Sequence, residues 1–250
     1  SDNDGLWTAM YIAAECYRYA VTKDPEAKRF ARDSLEALMF LESVTGIPGL
    51  MARTIAKPDE PHDSVLKTRP RQWDNFSADG NWRWKGDTSS DEVVGHYYGY
   101  SVYFDLCADE SEKEEIRDKV RRITDYIIAG NYFLLDVNGK PTTYGIWNFF
   151  DPWYRRFMFW NRGLNSLEIL SHLKTAYHIT GDEKYQRAYL DLALNHDYAK
   201  FTVNQKINIP GFINHSDDEL AFLSYYPLLK YEKDKELLKF YHQSIIQAGK

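Results

Sequence analysis

Cysteine is scarce in this 250-residue chain: there are two, Cys16 and Cys107, too few for the disulfide framework that holds small secreted domains together. Both fall inside apolar helical patterns, so each reads as a small buried hydrophobe, not as a redox partner or a metal ligand. No stretch approaches 18 consecutive apolar residues, which leaves out a membrane-spanning helix. Lys and Arg form no run interleaved with aromatics, and a net charge of −6 with a pI near 5.7 gives no electrostatic footprint for nucleic acid. The first residues, Ser-Asp-Asn-Asp, lack the basic-then-apolar profile of a signal peptide, and there is no initiator Met. The expectation is a mature product or a piece of something longer. A phosphate-binding Gly-rich loop, a nucleophile elbow and a His-Glu-x-x-His motif are all missing, so no cofactor and no metal are expected.

Aromatics, in contrast, are plentiful, with 7 Trp, 19 Tyr and 13 Phe in a chain that is 44% hydrophobic. That supply of apolar surface is enough for a sizeable core and excludes disorder. The strongest pattern is a repeat of helix pairs around short acidic turns at Asp24-Pro25, Asp109-Glu110, Gly181-Asp182 and Asp234-Lys235. Asp is a good N-cap because its carboxylate accepts the free amides of the next helix. The first members of the pairs, about 5–22, 90–107, 163–179 and 216–231, are apolar or aromatic around most of their circumference, as enclosed helices are. The second members, about 25–43, 110–129, 182–197 and 234–247, are amphipathic, with Ile116, Val120, Ile123 and Ile127 on one face and Lys119, Arg121 and Arg122 away from it. Inner helices alternating with outer ones describe an all-α protein, an α/α toroid of about four helical hairpins, spanning residues 1–250 as a single domain.

Long connections join the hairpins. Residues 47–87 hold four prolines and little periodicity, while residues 131–160 hold 11 aromatics, too many for a disordered segment. Within the second, Leu134 to Lys140 reads as a small β-hairpin on an Asn-Gly turn. Each long connection leads into the N-terminus of a first helix. There, and at the chain start, lie four polar clusters: Asp2 to Trp7, Gly86 to Glu92, Asn161 to Asn165 and Asn214 to Glu219. Capping accounts for one polar residue per helix. It does not account for four or more, joined by His96, Arg162, His215 and Trp7. In a toroid these helix starts share one mouth, and a shared functional site is the expectation.

Carboxylates at such a mouth suit glycoside hydrolysis, which needs one acid for the departing oxygen and a second to activate water or attack carbon. Asp4, Asp91, Asp217 and Asp218 are the candidates, with Glu92 adjacent. Neighbours on a helix diverge by about 100°, so a pair drawn from different hairpins is favoured over Asp91/Glu92 or Asp217/Asp218, and one of each adjacent pair serves as a cap. The competing chemistry is β-elimination from a uronic acid, for which Tyr97, His96 or His215 would remove the proton while Asn165 and Arg162 steady the carboxylate. Sugar rings stack on indole, which makes Trp7, Trp82 and Trp84 candidate binding residues, with one of Trp82 and Trp84 expected to pack inward and the other to face the cleft. Arg53, Arg69 and Arg71 are candidates for a carboxylate or sulfate. The spacing of His215 with Asp217 and Asp218 is too weak to indicate a cation.

The two-helix repeat and the segments Asp2 to Trp7, Gly86 to Glu92 and Asn214 to Glu219 together resemble the six-hairpin glycosidase-like superfamily of α/α toroids, and look like a bacterial branch of it. The resemblance implies an oligo- or polysaccharide partner, a periplasmic or secreted location, and hydrolysis by two carboxylates at the inner-helix mouth. Polysaccharide lyases and sugar epimerases use related toroids, and a non-catalytic glycan-binding or scaffold domain is the reading from another class. A six-hairpin ring needs twelve helices and this chain supplies eight, so the ring is either open or completed by sequence outside the chain.

Overall fold

Asp24, Asp109, Asp182 and Asp234 each turn a carboxylate onto the amides of the helix that follows. Asp109 makes a full capping box, accepting from the Glu112 amide at 2.9 Å while the Glu112 side chain accepts from the Asp109 amide at 2.8 Å. The caps divide the chain into α1 (Asp4–Thr22) with α2 (Pro25–Ser43), α3 (Ser90–Leu106) with α4 (Glu110–Ala129), and α5 (Arg162–Thr180) with α6 (Glu183–Leu190). A short α7 (Tyr198–Thr202) precedes the last pair, α8 (Ser216–Tyr231) with α9 (Lys235–Ala248). The computed structural model describes residues 3–59, 75–152, 154, 160–206 and 216–249. These residues are mostly helical, and the chain divides into two compact units, Ser1–Ile146 and Trp147–Lys250. His215, Arg69 and Arg71 lie outside the described residues.

In the first unit, α1 and α3 run side by side and start at the same end. The fit depends on glycine: a β-carbon on Gly95 would stand 2.6 Å from the Leu6 Cα, so no larger residue fits there without a shift. Leu35 and Leu38 of α2, and Ile116, Val120, Ile123 and Ile127 of α4, are buried, each contributing about 1.5–3 kcal/mol of transfer free energy. Lys119 corrects the expectation for α4. It is buried, with its ammonium 2.6 Å from the Glu42 carboxylate of α2, because an inward carboxylate draws a cation to the packed face. The expectation of an enclosed α1 is also corrected, since Trp7, Met10, Tyr11 and Tyr17 are large apolar side chains exposed along it.

The connection from α2 to α3, which shows little periodicity in sequence, contains a three-stranded antiparallel sheet of β1 (Thr54–Ala56), β2 (Asn75–Phe76) and β3 (Arg83–Lys85), ordered β1-β3-β2 with Ile55 opposite Trp84. The predicted hairpin is present as β4 (Phe133–Leu135) and β5 (Pro141–Ile146). Its turn is closed by the Asp136 amide on the Lys140 carbonyl at 2.8 Å.

In the second unit, α5 is buried almost all round, including Leu167, Leu170 and Leu173. It ends at Gly181, whose φ of 69° is a left-handed cap that favours glycine. The outer helix predicted over 182–197 is shorter and mixed: α6 continues as a π-helical segment, Asp191–Asn195, and Asp197, at φ 61°, turns the backbone into α7. Beneath it, Glu232 receives the Lys174 ammonium at 2.9 Å and the Tyr189 hydroxyl at 2.5 Å. Among the described residues no helix is long and apolar enough to cross a membrane.

Candidate functional site

The starts of α1 and α3 meet through side chains. Asn3, which precedes α1, donates from its amide nitrogen to the Asp91 carboxylate at 2.9 Å. Its amide oxygen accepts from Arg53 Nε at 3.0 Å and from the Ser89 hydroxyl at 3.3 Å. Those contacts fix which way the amide points, because only the oxygen can accept. Asp4, the first residue of α1, accepts from the Thr54 hydroxyl at the start of β1. Asp4 and Asp91 are both half-buried.

The floor of this site is Glu92. Fully buried, it accepts from the Gly5 amide at 2.7 Å, and so caps α1 from within α3. Burial pushes its carboxyl well above the ordinary range; the Gly5 amide works against that shift, the Asp4 charge adds to it and the Arg53 charge opposes it. One wall is Asp87, at φ 52°, whose carboxylate accepts from the Thr143 amide at 2.7 Å and the Thr143 hydroxyl at 2.9 Å, pinning the α3 approach to β5. The Arg53 guanidinium reaches the Asp87 carbonyl at 3.3 Å. Arg53 and Asp4, distant in sequence from Asp91, therefore share one polar cluster with it.

Three sequence-derived binding residues of the first unit are buried. His96 is fully buried, with Nδ1 2.7 Å from the Glu92 carbonyl; since a carbonyl only accepts, Nδ1 carries the proton. Burial pulls its pKa down to about 4, so the imidazole is neutral at pH 7. Tyr97 is buried, with its hydroxyl 2.7 Å from Thr124 Oγ1 of α4, and burial raises its pKa. Trp84 is the ring that points inward from the sheet. Trp82 is the outward one, half-buried against Phe40 with the Lys57 ammonium 3.7 Å from its ring centroid. It lines a cavity of about 240 Å³ with Phe40, Val44 and Asp79. Trp7 is half exposed.

In the second unit, the α5 start places the Arg162 guanidinium 4.1 Å from the Phe201 ring centroid and buries Asn165. At the α8 start, both oxygens of Asp218 accept from the Lys206 ammonium at 2.8 Å, and Asp217 is half-buried beside it. Phe201 also lines a cavity of about 200 Å³ with Phe149, Phe150, Asn195, His196, Asp197 and Tyr198. The π-helical segment and the left-handed Asp197 shape its wall, both features that recur at functional sites.

Sequence reasoning missed this cavity because no local motif marks a π-helical segment. It also missed the part played by Thr54 and Asp87, and treated Glu92 as an alternative to Asp91 when it is the floor beneath it. Among the described residues no group of three or more His, Cys, Asp and Glu side chains is placed to hold a metal ion. Comparison with protein-family models, with curated proteins and with solved structures finds no match to this chain.

Proposed function

We propose that this protein acts on an oligo- or polysaccharide and hydrolyses a glycosidic bond with Asp4 and Asp91 as its carboxylate pair. The observation that carries the reading is the joint between the α1 and α3 starts, where two carboxylates from different helices meet one cluster of neutral donors and the Arg53 cation. Glycoside hydrolysis needs two carboxyl groups in different environments, one keeping its proton and one giving it up. Asp4, on a threonine hydroxyl, and Asp91, on an asparagine amide, are the two carboxylates this joint supplies. Trp7, exposed on the first turn of α1, supplies a ring face for a sugar. Elimination is the weaker reading, because Tyr97 and His96, two of its three candidate bases, are enclosed in the core.

The test is a screen of oligosaccharides with a reducing-end assay, run beside absorbance of an unsaturated uronate. Asp4→Asn and Asp91→Asn should each lower turnover by about 10²–10⁴-fold while leaving the fold intact. A rise in uronate absorbance would move the assignment to a lyase. Binding without turnover, unchanged in both variants, would leave a glycan-binding module.

A further inference from the structure

The cavity of about 240 Å³ beside Trp82 lies between the C-terminal end of α2 and the turn that joins β2 to β3, and shares no residue with the joint between the α1 and α3 starts. The turn is firmly built. The Ser77 amide donates to the Trp82 carbonyl at 2.9 Å, and the Asp79 carboxylate accepts from the Ser77 hydroxyl at 2.5 Å, the Asn81 amide at 3.0 Å and the Asn81 side chain at 2.7 Å. All three donors are neutral. They draw the Asp79 pKa down to about 2, the Ser77 hydroxyl first, and no cation takes part. On the opposite side α2 ends at Ser43 with no basic residue in its last turn, so its own sequence leaves the negative end of the helix dipole unanswered. Between the two lie the Phe40 and Trp82 rings, edge to face with centroids 5.5 Å apart. The hydroxyls of the wall are already committed: Ser77 to Asp79 and the Trp82 amide, Ser43 to the Met39 carbonyl and to Lys119, whose charge is met by Glu42. A sugar would find few partners among them, whereas a cation needs no donor.

We propose that this cavity binds a small organic ammonium, its positive head held between the Asp79 carboxylate and the Phe40 and Trp82 rings. Indole is the strongest aromatic partner for a cation, and this one already receives an ammonium: Lys57 Nζ stands 3.7 Å from its centroid. Lys57 is not among the residues that line the cavity, so the indole meets its own lysine and the cavity with different parts of its surface. Val44 and Ala78 supply apolar wall for the carbon substituents of the ligand. A hard metal ion is a poorer match, because it takes six or more oxygen ligands or keeps its water, and one carboxylate beside two rings offers neither geometry nor charge enough. The volume sets the ligand small, just under the range of about 300–1,000 Å³ that suits drug-sized molecules. The site stands apart from the glycosidic reading and does not depend on it.

The full-length chain, labelled with nitrogen-15 in its indoles, is titrated with choline chloride and separately with 3,3-dimethylbutan-1-ol, which has the same shape without the charge, at an ionic strength held constant with NaCl. The indole resonance missing from Trp82→Phe identifies Trp82. Under choline that resonance should move and saturate with a Kd of about 1 mM or tighter, and the alcohol should bind roughly tenfold more weakly. Asp79→Asn keeps an oxygen for Ser77 and Asn81 but loses the charge. It should weaken choline roughly tenfold while leaving the alcohol and the other indole resonances unchanged. A Trp82 resonance that ignores choline, equal binding of choline and the alcohol, or parental affinity for choline in Asp79→Asn would each overturn the proposal.

Discussion

The Gly5 amide donates to the Glu92 carboxylate at 2.7 Å, so a side chain from the first turn of α3 caps the first turn of α1. The contact stabilises one helix start through another, and it places a buried acid under the candidate carboxylates. Because burial raises the Glu92 pKa, the folded protein holds that proton more tightly than the unfolded chain does. Its contribution to stability is complete below the ordinary carboxyl value of 4.5 and is lost as pH rises through the folded value. Glu92→Gln keeps the acceptor and never ionises. Its urea midpoint relative to the parent should therefore climb as pH is raised from 4.5, and a pH-independent difference would show that Glu92 is not the titrating group.

His96 runs the other way. Its folded pKa of about 4 lies below the ordinary 6.5, so the stability it secures is present above 6.5 and is lost as pH falls through 4. The full effect is about 3 kcal/mol, from 1.36 kcal/mol per pKa unit. His96→Asn should flatten that acid limb of the stability profile. A direct check is the imidazole resonance of His96 in the wild type, which should not move between pH 8 and pH 5.

Gly95 tests the helix contact itself. Helix propensity alone says that Gly95→Ala should stabilise α3 by about 1 kcal/mol. The neighbouring Leu6 backbone says otherwise, because the added carbon would stand 2.6 Å from the Leu6 Cα, and overpacking of this kind costs about 1–3 kcal/mol. Net destabilisation is expected, larger than for Gly99→Ala, whose nearest neighbour is the Ala9 side chain at 3.0 Å. Urea unfolding of the two variants ranks them, and a stabilised Gly95→Ala would contradict the observed closeness of α1 and α3.

The helix pairs were legible in the sequence because their signals are local. Asp24, Asp109, Asp182 and Asp234 cap the helix beginning one residue later, and a 3.6-residue period needs no knowledge of the partner. What escaped depends on which helix lies against which. Lys119 points inward only because Glu42 waits on α2, and Glu92 caps α1 and not its own helix. The candidate site was half legible for the same reason: the polar clusters at 2–7 and 86–92 were visible as excess beyond capping. Which members face outward was not visible, and the structure divides Asp91 from Glu92 by burial.

The Glu42 cluster shows how unevenly its members share the work. Glu42 is buried at 2% exposure and accepts from Lys119 at 2.6 Å and the Gly49 amide at 2.9 Å, with Arg122 at 3.2 Å from the same oxygen as Lys119. Removing the carboxylate in Glu42→Ala strands a buried ammonium and a buried amide, and should cost about 3–5 kcal/mol. Lys119→Met leaves Arg122 to neutralise Glu42 and fills the same space with an apolar chain, so a cost below about 2 kcal/mol is expected. The double variant Glu42→Leu with Lys119→Met should recover only part of the loss, since Lys119 is no longer stranded but the Gly49 amide and Arg122 still lose Glu42. Because the pair is buried, these differences should persist in high salt, where exposed pairs such as Arg29 with Asp33 are screened. A Glu42→Ala penalty that vanished in salt would show that water reaches the pair.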